Sequence, residues 1–487
     1  MNVLICIPCL LTGGTEIQTL NTVHALVQGG HEVTVACYFE HTPDMVDRYR
    51  KAGAEVLLFS PEGVRVGGYK SILFLYKHLR RAVRTVRPDV THVQYMAPGA
   101  TVILLLWLMG VKNIIATAHT AADIYRDLRL IHFLQRHCLR VFTCITERAE
   151  RSFFGTSQLY TPEMVLGKRN HFTIYNSLPA KLGWSCNEYE DENENFQSSS
   201  LTNSKQEYSH ADFADYTDSL SCQRDSHANL DAIAQNTHCF ARVTPSGGGT
   251  QSHTDCTDYT ESISCQRDLN VITQNLQVAS PLLASGAQSH LKGNLSSSSL
   301  SSSSQKDPSA PFVLGVVSRL EAIKGMDLVV PAFAEVLKVH PSTQLLVVGD
   351  GSLRASMEQQ AIELGCADHI RWVGRQPQEE LPQWYSQMDI VLMPSRSEGF
   401  GLTAIEAMAC GCVMVASDVG GLPEVVRDGI CGLLHRTEDV TDMAAKISTL
   451  IGDATLYDTL RTQSLKEVEK YSFERYAELI QNLYSKL

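Results

Sequence analysis

Two carboxylates, two cations and two glycine-bearing loops are the residues of this 487-residue chain whose types and spacing could do chemistry. Glu398 and Glu406 stand eight positions apart in PSRSEGFGLTAIEAMA, Pro394 to Ala409, which reads as a strand end, a glycine-rich loop and a helix. Gly399 and Gly401 leave room there and expose backbone N–H groups at the helix start. The first carboxylate can then face a bound sugar while the second reaches another part of the same ligand. As bare carboxylates, the two could equally be solvated helix faces. Arg319, in Ser318-Arg319-Leu320 at the end of an apolar run, and Lys324, at the entry to a helix, form the second pair. Two cations at the C-terminal edge of a strand suit the crevice where open α/β sheets bind ligands, and could neutralise a departing diphosphate. The alternative for them is two solvated surface charges.

Gly13 and Gly14 precede Glu16 and a helical stretch through Val27. Glycines let the backbone approach a ligand, and a helix start offers free N–H groups and the positive end of its dipole, so an anion site is the natural inference. Neither GxGxxG nor GxxxxGK[ST] stands at this point, which removes the main support for a dinucleotide or P-loop site. His119, in Ala118-His119-Thr120 after a strand, is a residue whose simplest role is structural. No Asp-x-Asp occurs anywhere, so the carboxylate pair that would hold a divalent ion on a diphosphate is missing. Neither a metal nor a cofactor is expected; the cations and helix N-termini would stabilise the leaving group instead.

These residues need a framework that gathers strand ends. From Met1 to about Tyr175, short apolar runs (Val3 to Ile7, Val33 to Cys37, Glu55 to Phe59, Val90 to Gln94, Asn113 to Thr117, Val141 to Ile145) alternate with helical patterns. The alternation resumes with Phe312 to Val317, Gln344 to Val348, His369 to Val373, Ile390 to Met393 and Val413 to Ala416. This is the pattern of parallel sheets covered on both faces. The length suits two such domains. We expect domains over 1–184 and 311–470, with 471–487 as a C-terminal helix that crosses back to the first.

Between them, 185–310 turns to Ser, Asn, Gln, Asp and Thr, too poor in apolar residues to offset its ordering entropy, and is expected to be a disordered insertion. It carries an internal repeat: HADFADYTDSLSCQRD from His210 recurs as HTDCTDYTESISCQRD from His253.

The apolar fraction of 44% is that of a globular protein, and the net charge of -12 disfavours nucleic acid as a partner. The charge is uneven: Met1 to Gly183 hold 20 Lys and Arg against 13 Asp and Glu, about +7, leaving about -19 for the remainder. Anionic ligands or surfaces should meet the first domain. Val3 to Leu11 reads as a buried strand, not a signal peptide. Ala100 to Met109 is short of the roughly 20 residues that span a bilayer. The fourteen cysteines read mostly as free thiols of a reducing compartment. Cys6 and Cys9 have redox or zinc spacing, but a Gly-Gly loop follows them, so neither role is expected.

Taken together, GGTE at Gly13, SRLEAIKG at Ser318, VVGDG at Val347, RWVGR at Arg371 and the EGFGLTAIE block resemble the retaining glycosyltransferase family 4, over about 175 residues at each end of the chain. The resemblance implies a GT-B fold: two Rossmann-like, doubly wound domains facing a cleft. It implies a metal-independent, retaining transfer of a hexosyl unit from a nucleotide diphosphate sugar to a saccharide or lipid-linked acceptor in surface polysaccharide synthesis. It would make Glu398 a ligand of the donor sugar, Glu406 of the ribose, and Arg319 and Lys324 of the diphosphate. Gly13 and Gly14 become a phosphate or acceptor loop, and His119 a histidine that reaches the donor sugar. Gly399, Phe400, Gly401, Leu402, Gly349 and Asp350 would line the donor, with Val373 and Gly374 meeting the base. Asn176-Ser177 departs from the family's Asn-Gly, and the insertion after it is a larger departure. A nucleotide-sugar 2-epimerase of similar fold and a non-catalytic nucleotide-sugar-binding module are the alternatives. No residue on the reacting face stands out as a nucleophile, which favours a front-face displacement.

Arg65, Lys70, Lys77, Arg80, Arg81, Arg84 and Arg87 fall in a stretch without an acid, interleaved with Ile72, Leu73, Leu75, Leu79 and Val83. A basic amphipathic helix here could lie on an anionic membrane, placing a cytoplasmic protein on its inner face; the alternative is a solvated helix packed on its sheet.

Overall fold

The computed structural model describes residues 1–95, 99–122, 125, 128–180 and 310–487. The predicted insertion, its repeat and its predicted disorder lie outside the described residues. Both ends of the chain belong to one compact unit.

The first sheet has β1 (Asn2–Ile7), β2 (Glu32–Cys37), β3 (Glu55–Leu58), β4 (Val90–Gln94), β5 (Ile114–Ala118), β6 (Val141–Cys144) and β7 (Asn170–Thr173). All are parallel, in the order β3-β2-β1-β4-β5-β6-β7, with Val3 opposite both Val33 and Val90. Strand alternation divides β1 between two cores: Val3, Ile5 and Ile7 face one helical layer, Leu4 and Cys6 the other. The connecting helices are α1 (Gly14–Gln28), α2 (Pro43–Lys51), α3 (Gly68–Val86), α4 (Gly99–Leu108), α5 (Arg129–His137) and α6 (Glu147–Phe154). The apolar run after Ala100 is α4, with Val102, Ile103 and Leu106 buried. No helix among the described residues is long and apolar enough to cross a membrane. The nine cysteines among the described residues are free thiols.

The second sheet has β8 (Val313–Val317), β9 (Gln344–Val348), β10 (Ile370–Gly374), β11 (Ile390–Met393), β12 (Val413–Ser417) and β13 (Gly432–His435), parallel in the order β10-β9-β8-β11-β12-β13. Its helices are α7 (Val329–Val339), α8 (Arg354–Glu363), α9 (Leu381–Tyr385), α10 (Leu402–Ala409), α11 (Leu422–Val426), α12 (Val440–Gly452) and α13 (Ala454–Val468). β7 and β13 are additions to the sequence reading. Both are four-residue edge strands without a continuous apolar run, Asn-His-Phe-Thr and Gly-Leu-Leu-His, so hydrophobic pattern alone does not reveal them.

The last helix, α14 (Phe473–Ser485), leaves the second sheet's layers and fills the first domain's core, where Phe473, Ile480 and Leu483 are buried with Ile5, Ile17 and Leu20. Its polar contacts lock the register. Tyr476 Oη lies 2.7 Å from Thr22 Oγ1, and Tyr484 Oη lies 2.8 Å from His92 Nδ1. Burial holds His92 down to about 3, so the ring is neutral in this bond.

In both sheets the strand order reverses once, between β1 and β4 and between β8 and β11. Connections leave these neighbours toward opposite faces, which opens a crevice at their C-terminal ends. Gly13 and Gly14 follow β1, Arg319 and Lys324 follow β8, and Glu398 follows β11.

Candidate active site

The loop after β8 folds into two short 3-10 turns, Ala322–Lys324 and Met326–Leu328, joined by Gly325 at φ +66°. A Cβ on Gly325 would lie 1.9 Å from the Pro394 carbonyl oxygen, so only glycine lets this turn press against the end of β11. The contact brings the two loops into register: Lys324 Nζ sits 2.8 Å from Glu398 Oε2.

Arg396, which sequence reasoning passed over, stitches the two loops together. Its backbone N–H donates to the Ile323 carbonyl at 3.0 Å, and its guanidinium grips both Asp327 oxygens at 2.6 and 2.8 Å and donates to the Ala322 carbonyl and to Glu438. The hydrogen bonds from Arg396 hold the Asp327 carboxyl below its ordinary range. A cation two residues from a candidate carboxylate was the available signal, but nothing in its spacing names Asp327 as the partner.

Gly349 and Asp350 work through the backbone. At φ +137° Gly349 approaches so closely that a Cβ would lie 1.8 Å from the Ser318 carbonyl oxygen, and the Asp350 carbonyl accepts from Leu320 N at 2.9 Å. The loop after β9 thus supports the turn that carries Arg319. Gly374 ends β10 at φ +83°, with its carbonyl accepting from Gly349 N at 2.8 Å and Val373 half-buried beside it.

Glu406 lies in α10, 6% exposed, with Tyr385 Oη donating to Oε2 at 3.1 Å. Burial pushes its carboxyl up to about 7, against the hydrogen bonds from Tyr385 and the Gln378 side chain. Among the remaining residues of the block, Phe400 is buried and packs between Tyr175 and Tyr471, with ring centroids 6.1 and 5.6 Å distant. Leu402 reaches across to the first domain, where its Cδ1 would lie 3.4 Å from a Cβ on Gly14.

Across from Arg319, Glu16 is buried in the first turn of α1. Cys9 Sγ donates to its Oε1 at 3.2 Å and Tyr95 Oη at 3.4 Å. Burial raises its carboxyl, offset by those bonds and by the charge of Arg319. Tyr95 holds φ +66°, an uncommon conformation for a non-glycine residue, directly at the end of β4. The His119 ring turns inward, with Nε2 2.8 Å from Gln94 Oε1, and burial brings it down to about 3, so it stays neutral. It is the His119 carbonyl that meets the second domain, 2.4 Å from where a Cβ on Gly399 would stand. Further contacts join the domains. Arg48 Nη2 lies 2.9 Å from Gln378 Oε1 and 3.2 Å from Glu379 Oε1, and Arg375 Nη2 lies 3.4 Å from Thr12 Oγ1.

The structure therefore brings Arg319, Lys324 and Glu398 to one crevice mouth with Gly13, Gly14 and Glu16 opposite, and keeps Glu406 in a buried position behind them. The Phe400 ring is engaged with Tyr175 and Tyr471, and the His119 ring with Gln94 and Tyr95.

Comparisons with known proteins bear on the family and the fold. The family model for Glycosyltransferase Family 4 matches residues 12–154, and that for Glycosyl transferases group 1 matches residues 300–467. D-inositol 3-phosphate glycosyltransferases from Corynebacterium jeikeium and Nocardia farcinica are 36% and 40% identical over 194 and 168 residues. Those alignments cover 38% and 33% of this chain, and the chain spans less than half of those relatives, 46% and 36% of their lengths. Among solved structures, Anabaena HepE in complex with UDP superposes with a TM-score of 0.61 at 15% identity, covering 100% of both chains. Sucrose-phosphate synthase from Thermosynechococcus elongatus gives 0.58 at 17%, covering 100% of this chain and 98% of that one. With one family model on each of its two doubly wound domains and GT-B enzymes as structural neighbours, the chain belongs to the family 4-like glycosyltransferases of GT-B fold.

Proposed function

We propose that the protein is a retaining, metal-independent glycosyltransferase that moves a hexosyl unit from a nucleotide diphosphate sugar to a saccharide or lipid-linked acceptor in surface polysaccharide synthesis. The observation that carries the reading is the Lys324–Glu398 pair at the mouth of the second sheet's crevice, with Arg319 on the same loop. A diphosphate entering there draws Lys324 off Glu398, so the cation meets the leaving group and the carboxylate is freed for sugar hydroxyls. Glu406 accepts from the ribose, and Val373 and Gly374 border the base. His119 shapes the opposite wall through its carbonyl. HepE, crystallised with UDP and with UDP-glucose, supports a nucleoside diphosphate sugar as the donor class.

In the reaction we propose, the bond from the anomeric carbon to the diphosphate oxygen breaks while the acceptor oxygen attacks the same face. The leaving phosphate takes the acceptor's proton, so the products are a glycoside of unchanged anomeric configuration and a nucleoside diphosphate. Arg319 and Lys324 hold the charge that develops, and no cofactor takes part.

The exposed side of α3 supports a membrane-facing role. Tyr69 and Leu73, 80% and 71% exposed, and Tyr76 form a stripe among the exposed Lys70, Lys77, Arg80, Arg81 and Arg84, and α4 beside it exposes Trp107 and Leu108. Arg80 lies over the Tyr76 ring, 6.0 Å from its centroid. Aromatic and aliphatic tips set among unpaired-sign charge are the composition that binds anionic lipid surfaces. We propose peripheral attachment through this face to the inner side of a membrane carrying the acceptor.

Incubating the protein with a panel of uridine and guanosine diphosphate sugars, without metal, should release nucleoside diphosphate from one donor. Glu398→Ala and Lys324→Ala should each cut that release by about 100-fold or more, and proton NMR of the glycosylated product should show the donor's anomeric configuration. Release unchanged in both variants, epimerised donor as the product, or an inverted anomer would each remove part of the reading.

Because ionised Glu406 is the better acceptor for ribose hydroxyls, affinity for the nucleoside diphosphate should rise with pH through about 7 and level off above it. Calorimetric titration of Glu406→Gln should show that component of the pH dependence gone; an identical pH profile in both proteins refutes the ribose role.

Sedimentation with vesicles containing anionic lipid should carry down the parent protein, and the triple change Arg80→Glu, Arg81→Glu, Arg84→Glu should abolish it. A parent protein that stays in the supernatant retires the membrane-facing role.

A further inference from the structure

The first turn of α6 begins with Thr146 as its cap, and a helix start leaves its first N–H groups without internal partners. Thr146 Oγ1 accepts from Ala149 N at 3.1 Å. The two donors before it are met from the other domain: Glu424 Oε2 accepts from Glu147 N at 2.8 Å and Oε1 from Arg148 N at 2.5 Å. One carboxylate thus completes the cap of a helix 276 positions away in sequence, and places negative charge at the positive end of that helix's dipole.

Glu424 is held by the same segment that backs the candidate donor loop. Gly421 N donates to the Glu398 carbonyl at 3.1 Å, and a Cβ on Gly420 would lie 1.7 Å from that oxygen. A Cβ on Gly421 would stand 2.7 Å from Thr146 Cγ2 and 2.5 Å from the Gly399 carbonyl, while Gly399 abuts the His119 carbonyl. Cap, donor loop and the end of β5 therefore form one contact surface. Tyr175 Oη adds a bond to Glu147 Oε1 at 3.3 Å.

We propose that Glu424 is an inter-domain positioning residue: by capping α6 it latches the first domain onto the segment that carries Glu398, holding the crevice in its closed geometry. The carboxylate replaces water on Glu147 N and Arg148 N when the domains meet, so closure costs neither donor its hydrogen bond. Only the kinetic arm of the test below rests on the transferase reading.

Amide hydrogen exchange of the full chain tests the latch directly. In Glu424→Ala, exchange should quicken by about fivefold in the stretch 146–150 and also in 118–121, which faces Gly399. Glu424→Gln keeps one acceptor oxygen and should fall between the parent and Glu424→Ala. Unchanged exchange in Glu424→Ala overturns the proposal, as does a change confined to 147 and 148, which is the signature of a lost local cap without opening. Glu147→Ala keeps its N–H and Glu147→Pro removes it at a position where a helix tolerates proline. The two should differ in the parent background and not in Glu424→Ala; an equal difference in both overturns the cap. In the kinetic arm, kcat should fall about fivefold in Glu424→Ala while affinity for the free nucleoside diphosphate stays the same, and unchanged kcat overturns the positioning role. If the parent protein turns over no donor, the transferase reading fails and the exchange results still decide the latch.

Discussion

The closeness of Gly325 to the Pro394 carbonyl is the constraint on which the candidate site depends. β8 and β11 are neighbours at the switch point of the second sheet, so the chain leaving each must turn to opposite faces. With a side chain at 325, the turn would be displaced from the end of β11, and Lys324 would no longer meet Glu398. The Arg396 bonds to Asp327 and Ala322 then fix the turn that glycine has admitted. Steric permission comes first and charge pairing second, because a 2.8 Å ion pair cannot form between loops that a Cβ holds apart.

The two domains differ in how they use their crevices. In the second, charges of opposite sign meet at the surface, where a charged ligand can compete for both. In the first, Glu16 is buried among Cys9, Tyr95 and the helix start, and His119 is turned inward to Gln94. These buried groups are committed to one another, and beside the crevice the first domain presents the Gly13–Gly14 loop and the His119 carbonyl, with the Arg48 and Thr12 side chains reaching across further out.

Much of this was legible in the sequence, for physical reasons that can be named. Strands buried on both faces read as apolar runs, so β1, β2, β4, β8, β9 and β11 announced themselves, and glycines near Glu398 marked close approaches. β7 and β13 were hidden because an edge strand needs little apolar character. Arg396, Gln94 and Glu424 were hidden for a different reason. Each acts through a partner more than 20 positions away, and spacing carries no information about which strand ends a fold will bring together. Phe400 shows the converse limit: adjacency to Glu398 in sequence says nothing about direction, and its ring belongs to the Tyr175–Tyr471 cluster.

The return of α14 to the first domain gives the chain two crossings between domains, one after Ala180 and one at Tyr471–Ser472. The second is short and well anchored: Leu178 N donates to the Tyr471 carbonyl at 2.9 Å, and Ser472 caps α14. A body joined by one tether can swivel and drift to the full reach of that tether; a body joined by a second, taut one can only turn about it. The Tyr471–Ser472 crossing therefore sets how far the halves can part.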